Sequence, residues 1–194
     1  MVETDTLAEY IEDVRDVFAT TSNPVQQGSQ VAELTADVLA SDGWLEVELD
    51  AIGDEEIRLG SLHTDDEYGH PEPGFRITAG RIDPGEEPAA SHLAHDHGLA
   101  WVVYGTYSGQ REQTIYNWAY DESGIPHLEK SASMVQGKGD VILVPQGEIH
   151  QQATVGTETS INFRIESQSM ADRPRHWYNV EDGAAEASVT PTVA

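Results

Sequence analysis

The sequence predicts an all-β barrel preceded by two α-helices, and three observations support this prediction. Short runs rich in Val, Ile, Tyr and Trp recur between residues 56 and 166, separated by Gly, Pro and Asp, which is typical of a sandwich or barrel. Two earlier stretches have apolar residues at helical spacing. The chain has 194 residues, a length that suits one domain with a substantial core.

The first 43 residues are interpreted as a helical segment. A helix is expected over residues 3–19, where acidic residues in the first turns favour the positive helix end. A Thr-Ser-Asn-Pro breaker follows, and a second helix is expected over residues 29–40, closed by a glycine at position 43. We therefore assign residues 1–43 to an N-terminal helical segment that contributes packing.

The barrel domain is assigned to residues 44–179. Its strands are expected at roughly 56–63, 74–82, 98–106, 110–119, 127–135, 140–144, 149–155 and 159–166. The remaining residues, 180–194, are small, polar and acidic. Such a composition buries too little apolar surface to order a segment, so we expect an acidic disordered tail.

Charge and composition exclude several classes of partner. Acidic residues number 35 against 10 basic residues, a formal net charge of -25, and such a field repels nucleic acid and anionic membranes. Neither is expected as a partner. The absence of cysteine rules out disulfides, thiolate ligands and a cysteine nucleophile. No apolar run suits a membrane helix and no signal peptide is recognised, so a cytoplasmic location is expected.

Two histidine motifs are the candidates for a metal-binding site. His95 and His97 precede an apolar strand, and residues two apart on a strand point to the same side, so both imidazoles can converge on one atom. Imidazole is a common ligand of iron, copper, nickel and zinc. A second apolar strand, 141–144, leads through a Pro-Gln-Gly turn to His150. His95, His97 and His150 are therefore the candidate metal ligands.

The second motif resembles that of the cupin superfamily. The family pattern of Gly, five residues, Pro-x-Gly, two residues and His is matched by Gly139, Pro145, Gly147 and His150. Thr154 stands where that pattern usually ends in Asn. The resemblance implies an all-β cupin double-stranded β-helix, a jelly-roll barrel, with N-terminal α-helices attached.

The first motif departs from the common cupin pattern in one informative position. His95, His97 and Gly109 match the family spacing, but Val102 occupies the place of the usual metal-binding Glu. A site of three histidines without a carboxylate resembles the cysteine dioxygenase-like (thiol dioxygenase) branch, where three histidines hold iron. The His-Asp-His-Gly run and residues 113–118 are also similar to that branch.

The resemblance implies Fe(II) as cofactor, with Ni, Mn, Zn or Cu as other divalent metals. Three neutral imidazoles leave the metal charge uncompensated, so an anionic ligand such as a thiolate or alkoxide is favoured. Three open coordination positions would let a small-molecule substrate and O2 bind side by side. The open alternatives are another metal-cupin enzyme (a lyase, an isomerase or a non-thiol dioxygenase) and a non-catalytic small-molecule-binding cupin. A homodimer is an open alternative to a monomer.

Several residues of the thiol dioxygenases are absent. Some of these enzymes have a Cys at the Val102 position crosslinked to a Tyr, and this chain has no cysteine. Their Ser-x-His-x-Tyr run aligns with Ser160, Asn162 and Arg164. Only the serine is kept; Asn162 could donate a hydrogen bond, and Arg164 replaces the tyrosine. These three residues are candidate catalytic residues.

The family binds the substrate carboxylate with an arginine on an early strand. Arg58 is the nearest candidate and completes the catalytic set. Arg76, Arg81 and Arg164 also fall on expected strands and could clamp a carboxylate, although surface ion pairs are an equal interpretation for each. His92 is expected in the entry loop, exposed or close to the site, with a fourth-ligand role as the minor alternative.

Overall fold

The computed structural model describes residues 4–53, 59–84, 93–170, 174–180 and 185–189. In this part of the chain three helices come first, α1 (Asp5–Thr20), α2 (Pro24–Leu39) and α3 (Trp44–Ile52). Among these described residues, no helix combines the length and the hydropathy that crossing a membrane requires.

Side-chain caps define where the first two helices begin. The Thr4 hydroxyl accepts from the Leu7 backbone N–H at the start of α1, and the Asn23 side chain accepts from the N–H groups of Val25 and Gln26 at the start of α2. The second helix thus begins at Pro24, earlier than the expected residue 29. The Asn-Pro pair interpreted as a breaker is a start signal, because Asn caps well and proline suits the first helical position.

The third helix was not expected from the sequence. Residues 44–179 were assigned to the barrel domain, but Trp44, Leu45 and Leu49 lie buried along one side of α3. Glu48, also buried, accepts a hydrogen bond from the Thr4 backbone N–H at 2.6 Å. The helical part of the chain therefore extends past the boundary placed at residue 43.

The strands follow the predicted pattern closely. They are β1 (Gly60–Thr64), β2 (Arg76–Ile82), β3 (Ala94–His95), β4 (Val102–Ser108), β5 (Arg111–Tyr120), β6 (Pro126–Gln136), β7 (Val141–Val144), β8 (Ile149–Thr154), β9 (Ser160–Glu166), β10 (Pro174–Tyr178) and β11 (Ala185–Val189). The eight expected strands correspond to β1, β2 and β4 to β9, whereas β3, β10 and β11 were not expected.

The strand order confirms the predicted jelly roll. One antiparallel sheet has the order β1-β2-β9-β4-β7 and the other has the order β11-β10-β3-β8-β5-β6. From β2 to β9 the chain crosses between the sheets at nearly every step, and only β5 and β6 form a hairpin within one sheet. This is the double-stranded β-helix, in which two sheets enclose a barrel interior.

The last described strand corrects the prediction of a disordered tail. Residues 185–189 pair antiparallel with β10 along its whole length. Small and polar side chains suggested disorder, but strand pairing uses backbone N–H and C=O groups and needs little from the side chains. The other residues of the expected tail, apart from residue 180, lie outside the described part of the chain.

The two faces of the five-stranded sheet have different surroundings. On β9, Phe163 and Ile165 belong to the main apolar core, which also contains residues of all three helices. Arg164 lies between them and therefore points to the barrel interior, where its guanidinium lies over the ring of Tyr104. The helices thus cover one face of this sheet, and the opposite face lines the barrel.

Candidate metal centre

Three buried histidines meet inside the barrel. His95 ends β3, His97 lies in the turn that follows, and His150 is the second residue of β8. Their ligand atoms all lie within 4.8 Å of one another, and His95 and His150 are cross-strand partners. The sequence placed His95 and His97 on one strand. That placement is wrong, because the strand ends at His95 and the turn brings His97 into position.

Hydrogen bonds orient two of the three rings. His95 Nδ1 lies 2.9 Å from the Leu93 carbonyl oxygen, and His150 Nδ1 lies 3.1 Å from Gln113 Oε1. A carbonyl oxygen can only accept, so each Nδ1 carries the hydrogen and donates it. The lone pair of each ring is then on Nε2, which is the arrangement that a metal-binding imidazole needs.

The histidines are held in the neutral form. Burial lowers the pKa of His95 to about 3. Burial also lowers the pKa of His97 and of His150 well below the ordinary value, and the positive charges of Arg164 and Arg175 add to this effect. Neutral imidazole is the form that binds metals, so no proton has to leave the site first at neutral pH.

The donor atoms fit a divalent metal that prefers nitrogen ligands. His150 Nε2 and His97 Nε2 lie 3.4 Å apart in the buried interior, a short separation for two ring nitrogens unless a proton or a cation lies between them. The grouped ligands are all histidines, and Val102 is packed with Tyr104 and Val144 in a small apolar cluster. Three nitrogens without a carboxylate suit iron, nickel, copper or zinc.

Arg164 is a predicted residue that the structure brings to the site. Its Nη1 is 2.9 Å from Glu166 Oε1, and its guanidinium carbon is 5.4 Å from the centroid of the Tyr104 ring. The Tyr104 hydroxyl lies 3.2 Å from His97 Nε2, and burial raises the pKa of this tyrosine, which keeps it neutral. The Arg164 guanidinium and the neutral Tyr104 hydroxyl therefore lie on the histidine side of β9 and β4.

Arg175 and Trp177 also approach the site, and sequence reasoning missed both. Trp177 is the cross-strand partner of His95, with ring centroids 4.7 Å apart. The Arg175 guanidinium carbon lies 4.6 Å from the centroid of the Trp177 ring. Aromatic residues in the run 174–178 indicate a strand, and this signal could have added β10 to the expected strands of the barrel domain.

Ser160 and Asn162 lie further along β9 from the histidines than Arg164 does. The Asn162 side chain donates to the Ser160 hydroxyl at 3.2 Å. At about 3.3 Å per strand residue, Ser160 lies about 13 Å from Arg164 along the strand. Their catalytic role stays a prediction. Arg58 and His92 lie outside the described residues.

Arg81 forms the surface ion pair that was its alternative interpretation, whereas Arg76 contacts a hydroxyl. Arg81 Nη2 lies 2.8 Å from Asp50 Oδ1 on α3. Arg76 Nε donates to the Ser61 hydroxyl at 3.3 Å in an exposed position. Of the three additional strand arginines considered from the sequence, only Arg164 points to the histidines.

Asp96 anchors the turn between the two metal-ligand candidates. Its carboxylate accepts from the Tyr178 hydroxyl at 2.7 Å, from His176 Nδ1 at 3.0 Å and from the Gly98 backbone N–H at 2.9 Å. Burial would raise the pKa of Asp96, but these hydrogen bonds hold it below its ordinary value. The charged carboxylate ties the turn of His97 to β10.

Among known proteins, several solved structures resemble this chain. No family model and no curated protein matches the chain. The cupin domain of Schizosaccharomyces pombe Cnp3 is 13% identical with a TM-score of 0.41, over 57% of this chain and 60% of that one. A Klebsiella pneumoniae protein with a double-stranded β-helix domain is 14% identical with a TM-score of 0.43, over 73% and 87%.

An oxalate oxidase in complex with glycolate is 17% identical with a TM-score of 0.40, over 67% of this chain and 60% of that one. The chain thus spans less than two thirds of the Cnp3 and oxalate oxidase chains. The fold assignment rests on the strand order of this protein itself.

Proposed function

We propose that this chain is a metal-dependent cupin oxidoreductase, an iron(II) enzyme of the three-histidine, thiol dioxygenase-like type that uses O2 on a small anionic substrate. The observation that supports it most is the convergence of His95, His97 and His150, buried and neutral, in a ligand group without a carboxylate. Such a site leaves positive charge for an anionic substrate to balance.

The protein contributes orientation, charge and exclusion of water. The chemistry that iron(II) supplies at such a site is the binding and reductive activation of dioxygen beside a bound substrate. Arg164 attracts an anion to the same interior, and Tyr104 offers a neutral hydroxyl next to His97. Val102 and Val144 are fully buried on the interior side, so they keep water from part of the site and strengthen these charge interactions.

One observation favours a second candidate, the same metal centre acting on a non-thiol anion. Arg164 occupies the position where the thiol dioxygenases have a tyrosine, and Tyr104 on the neighbouring strand supplies the hydroxyl instead. Because the Tyr104 hydroxyl comes from β4 and not from β9, it would contact the substrate and oxygen from a different direction. The proposed enzyme is therefore to be tested with thiols and with small hydroxy and keto acids.

The deciding experiment combines metal analysis with an oxygen electrode. The purified protein and a His150→Ala variant are loaded anaerobically with iron(II), desalted and analysed. A His127→Ala variant is the matched control, because His127 is a half-exposed residue of β6 that lies outside the histidine group. We expect about one iron per chain in the wild type and the control, and a nearly complete loss in His150→Ala.

Oxygen uptake then separates the candidates. Iron-dependent uptake that requires a thiol supports the proposed enzyme, and iron-dependent uptake with a non-thiol acid supports the second candidate. Failure of the wild type to retain any divalent metal would overturn both enzyme proposals and leave a small-molecule-binding barrel.

A further inference from the structure

The hydroxyl of Tyr104 contacts a ring nitrogen of the candidate metal centre. Its one hydrogen-bond partner among the described residues is His97 Nε2, at 3.2 Å. The same nitrogen lies 3.4 Å from His150 Nε2. Both partners are within hydrogen-bonding geometry of His97 Nε2, so both lie on the side to which its lone pair points. That is the side that a metal would occupy.

The two separations match the spacing of donor atoms around one metal ion. With metal–ligand bonds of about 2.1 Å, neighbouring donors are about 3.0 Å apart at a right angle and about 3.4 Å apart at the tetrahedral angle. The Tyr104 oxygen, 3.2 Å from His97 Nε2, lies within this range. The separation of 3.4 Å between the Nε2 atoms of His97 and His150 lies at its upper end. The phenol oxygen is therefore spaced like a further ligand.

A metal on His97 would also remove the acceptor of the Tyr104 hydroxyl. Binding through Nε2 uses the lone pair to which the phenol can donate in the metal-free protein. Tyr104 is 7% exposed and packs with Val102 and Val144, whose side chains offer no acceptor. A buried hydroxyl that loses its partner is destabilising. Coordination of the oxygen to the same metal gives the group a new partner.

Positive charges around the Tyr104 ring favour its ionised form. Burial raises the pKa of Tyr104, whereas the charges of Arg164, Arg175 and Arg111 act in the opposite direction and are themselves opposed by Glu166. The Arg164 guanidinium carbon lies 5.4 Å from the ring centroid. These charges leave the phenol neutral in the metal-free protein. A divalent cation beside the oxygen adds the largest local charge, which ionises groups that bind it.

We propose that Tyr104 is a fourth protein ligand of the metal and binds as a phenolate beside His95, His97 and His150. On coordination the O–H bond breaks, the oxygen donates an electron pair to the metal, and the proton leaves to solvent. This inference rests on the metal site of the proposed function but not on its oxygen chemistry. A six-coordinate metal would then keep two open positions instead of three, which favours a substrate that binds through a single atom.

Zinc is the first probe, because its filled d shell gives no absorption bands that could hide those of tyrosine. The metal-free protein is titrated with zinc at neutral pH, and the ultraviolet difference spectrum is recorded. We expect the spectrum of ionised tyrosine to appear with about one tyrosine per bound zinc, because the phenol is neutral until the metal binds. Tyr104→Phe is expected to bind zinc without this spectrum.

Tyr107→Phe is the matched control. Tyr107 lies on the same strand, is 2% exposed and donates its hydroxyl to Glu46 at 2.6 Å, and its ring belongs to the main apolar core next to the helices. This variant is expected to keep the full zinc-induced spectrum. His150→Ala is expected to lose both the bound zinc and the spectrum. Thermal melting checks that each variant is folded, and the wild-type spectrum tests the proposal without any variant.

Iron gives a second measurement that does not depend on activity. The iron(II)-loaded protein is oxidised with ferricyanide in the absence of substrate, and the visible spectrum is recorded. A phenolate bound to iron(III) produces a strong charge-transfer band. We expect this band in the wild type and in Tyr107→Phe, and its loss in Tyr104→Phe.

Two results would overturn the fourth ligand alone. One is metal binding by the wild type without the spectrum of ionised tyrosine, which would leave Tyr104 as a hydrogen-bonding neighbour. The other is an unchanged spectrum in folded Tyr104→Phe, which would assign the phenolate to another tyrosine. Failure to bind any metal would overturn this inference together with the proposed function. The expected spectra without any oxygen uptake would support the ligand and count against the proposed enzyme only.

Discussion

One face of the five-stranded sheet packs in the apolar core, and the other face lies beside the candidate metal centre. The face toward the helices is apolar, with Phe163, Ile165 and Val103 packed in the main core. The face toward the barrel interior presents Tyr104, whose hydroxyl lies 3.2 Å from His97, and Arg164, whose guanidinium lies over the Tyr104 ring. One strand supplies both environments because successive side chains point to opposite faces. The comparison teaches that alternation along a strand can place a core and a site within a few ångströms of each other.

The polar groups of the barrel interior are expected to cost folding free energy that apolar packing on the helix face offsets. Among the described residues, His97 Nδ1, Gln113 Nε2 and two nitrogens of Arg164 are buried without a hydrogen-bond partner. A buried polar group without a partner is destabilising by about 1–3 kcal/mol. Functional sites commonly break the local rules of folding in this way, and the rest of the molecule compensates.

The largest expected effect comes from substituting neighbours on the two faces of β9. Phe163 is fully buried and makes edge-to-face contacts with Tyr10 and Trp44, so Phe163→Ala is expected to lower the free energy of unfolding by about 3–5 kcal/mol. Asn162→Ala removes a half-buried interior residue and is expected to cost less than about 1 kcal/mol. Urea denaturation measures both. Equal losses would contradict the division between the faces.

The next effect concerns the attachment of α1 to the barrel. The buried Asp65 carboxylate accepts from Arg15 Nε at 2.7 Å and from the backbone N–H groups of Tyr68 and Glu67. Burial opposes its ionisation, but the hydrogen bonds from Tyr68, Arg15 and Glu67 lower the pKa of Asp65 to about 2. Because the folded-state pKa is lower than the unfolded one, this stabilisation is complete above about pH 4 and is lost as the pH falls through about 2.

A pH series tests this link. Between about pH 6 and pH 2, the wild type is expected to lose about 2 kcal/mol more unfolding free energy than an Asp65→Asn variant. Denaturation midpoints at several pH values measure the difference. If both proteins lose stability in parallel, the carboxylate does not hold α1 against the barrel, and the helix face owes its stability to apolar packing alone.

The smallest effect concerns the barrel interior, on the side of the six-stranded sheet. Gln113→Leu removes the acceptor that orients His150 and is expected to weaken metal affinity about tenfold, equivalent to about 1.4 kcal/mol, with little change in unfolding. Gln151→Leu is the matched control, because Gln151 adjoins His150 on β8 but points to the other side, where it accepts from the Tyr116 hydroxyl. A chelator competition titration measures zinc affinity. Equal affinities in the two variants would show that Gln113 does not orient the ligand.

Local patterns were sufficient for much of the architecture. The runs that became β4 to β9 were recognisable from β-branched and aromatic residues bounded by glycine and proline. Sequence patterns did not predict the segments whose structure depends on pairing with a neighbouring strand. The two-residue β3 has no pattern of its own, and residues 185–189 form a strand because β10 offers a backbone edge. Helix α3 spans nine residues, which is shorter than the window over which helical spacing is recognised in a sequence.

The candidate site was likewise predicted only in part from local sequence. The spacing of His95 and His97 and the turn before His150 were enough to nominate the histidines, since these features lie within short stretches of chain. Their convergence, the orientation of His150 by Gln113, and the approach of Arg164 and Arg175 were decided by tertiary structure. The physical reason is the strand register. Pairing of β3 with β8 and with β10 brings together residues far apart in the sequence, and no local pattern encodes which strands become neighbours.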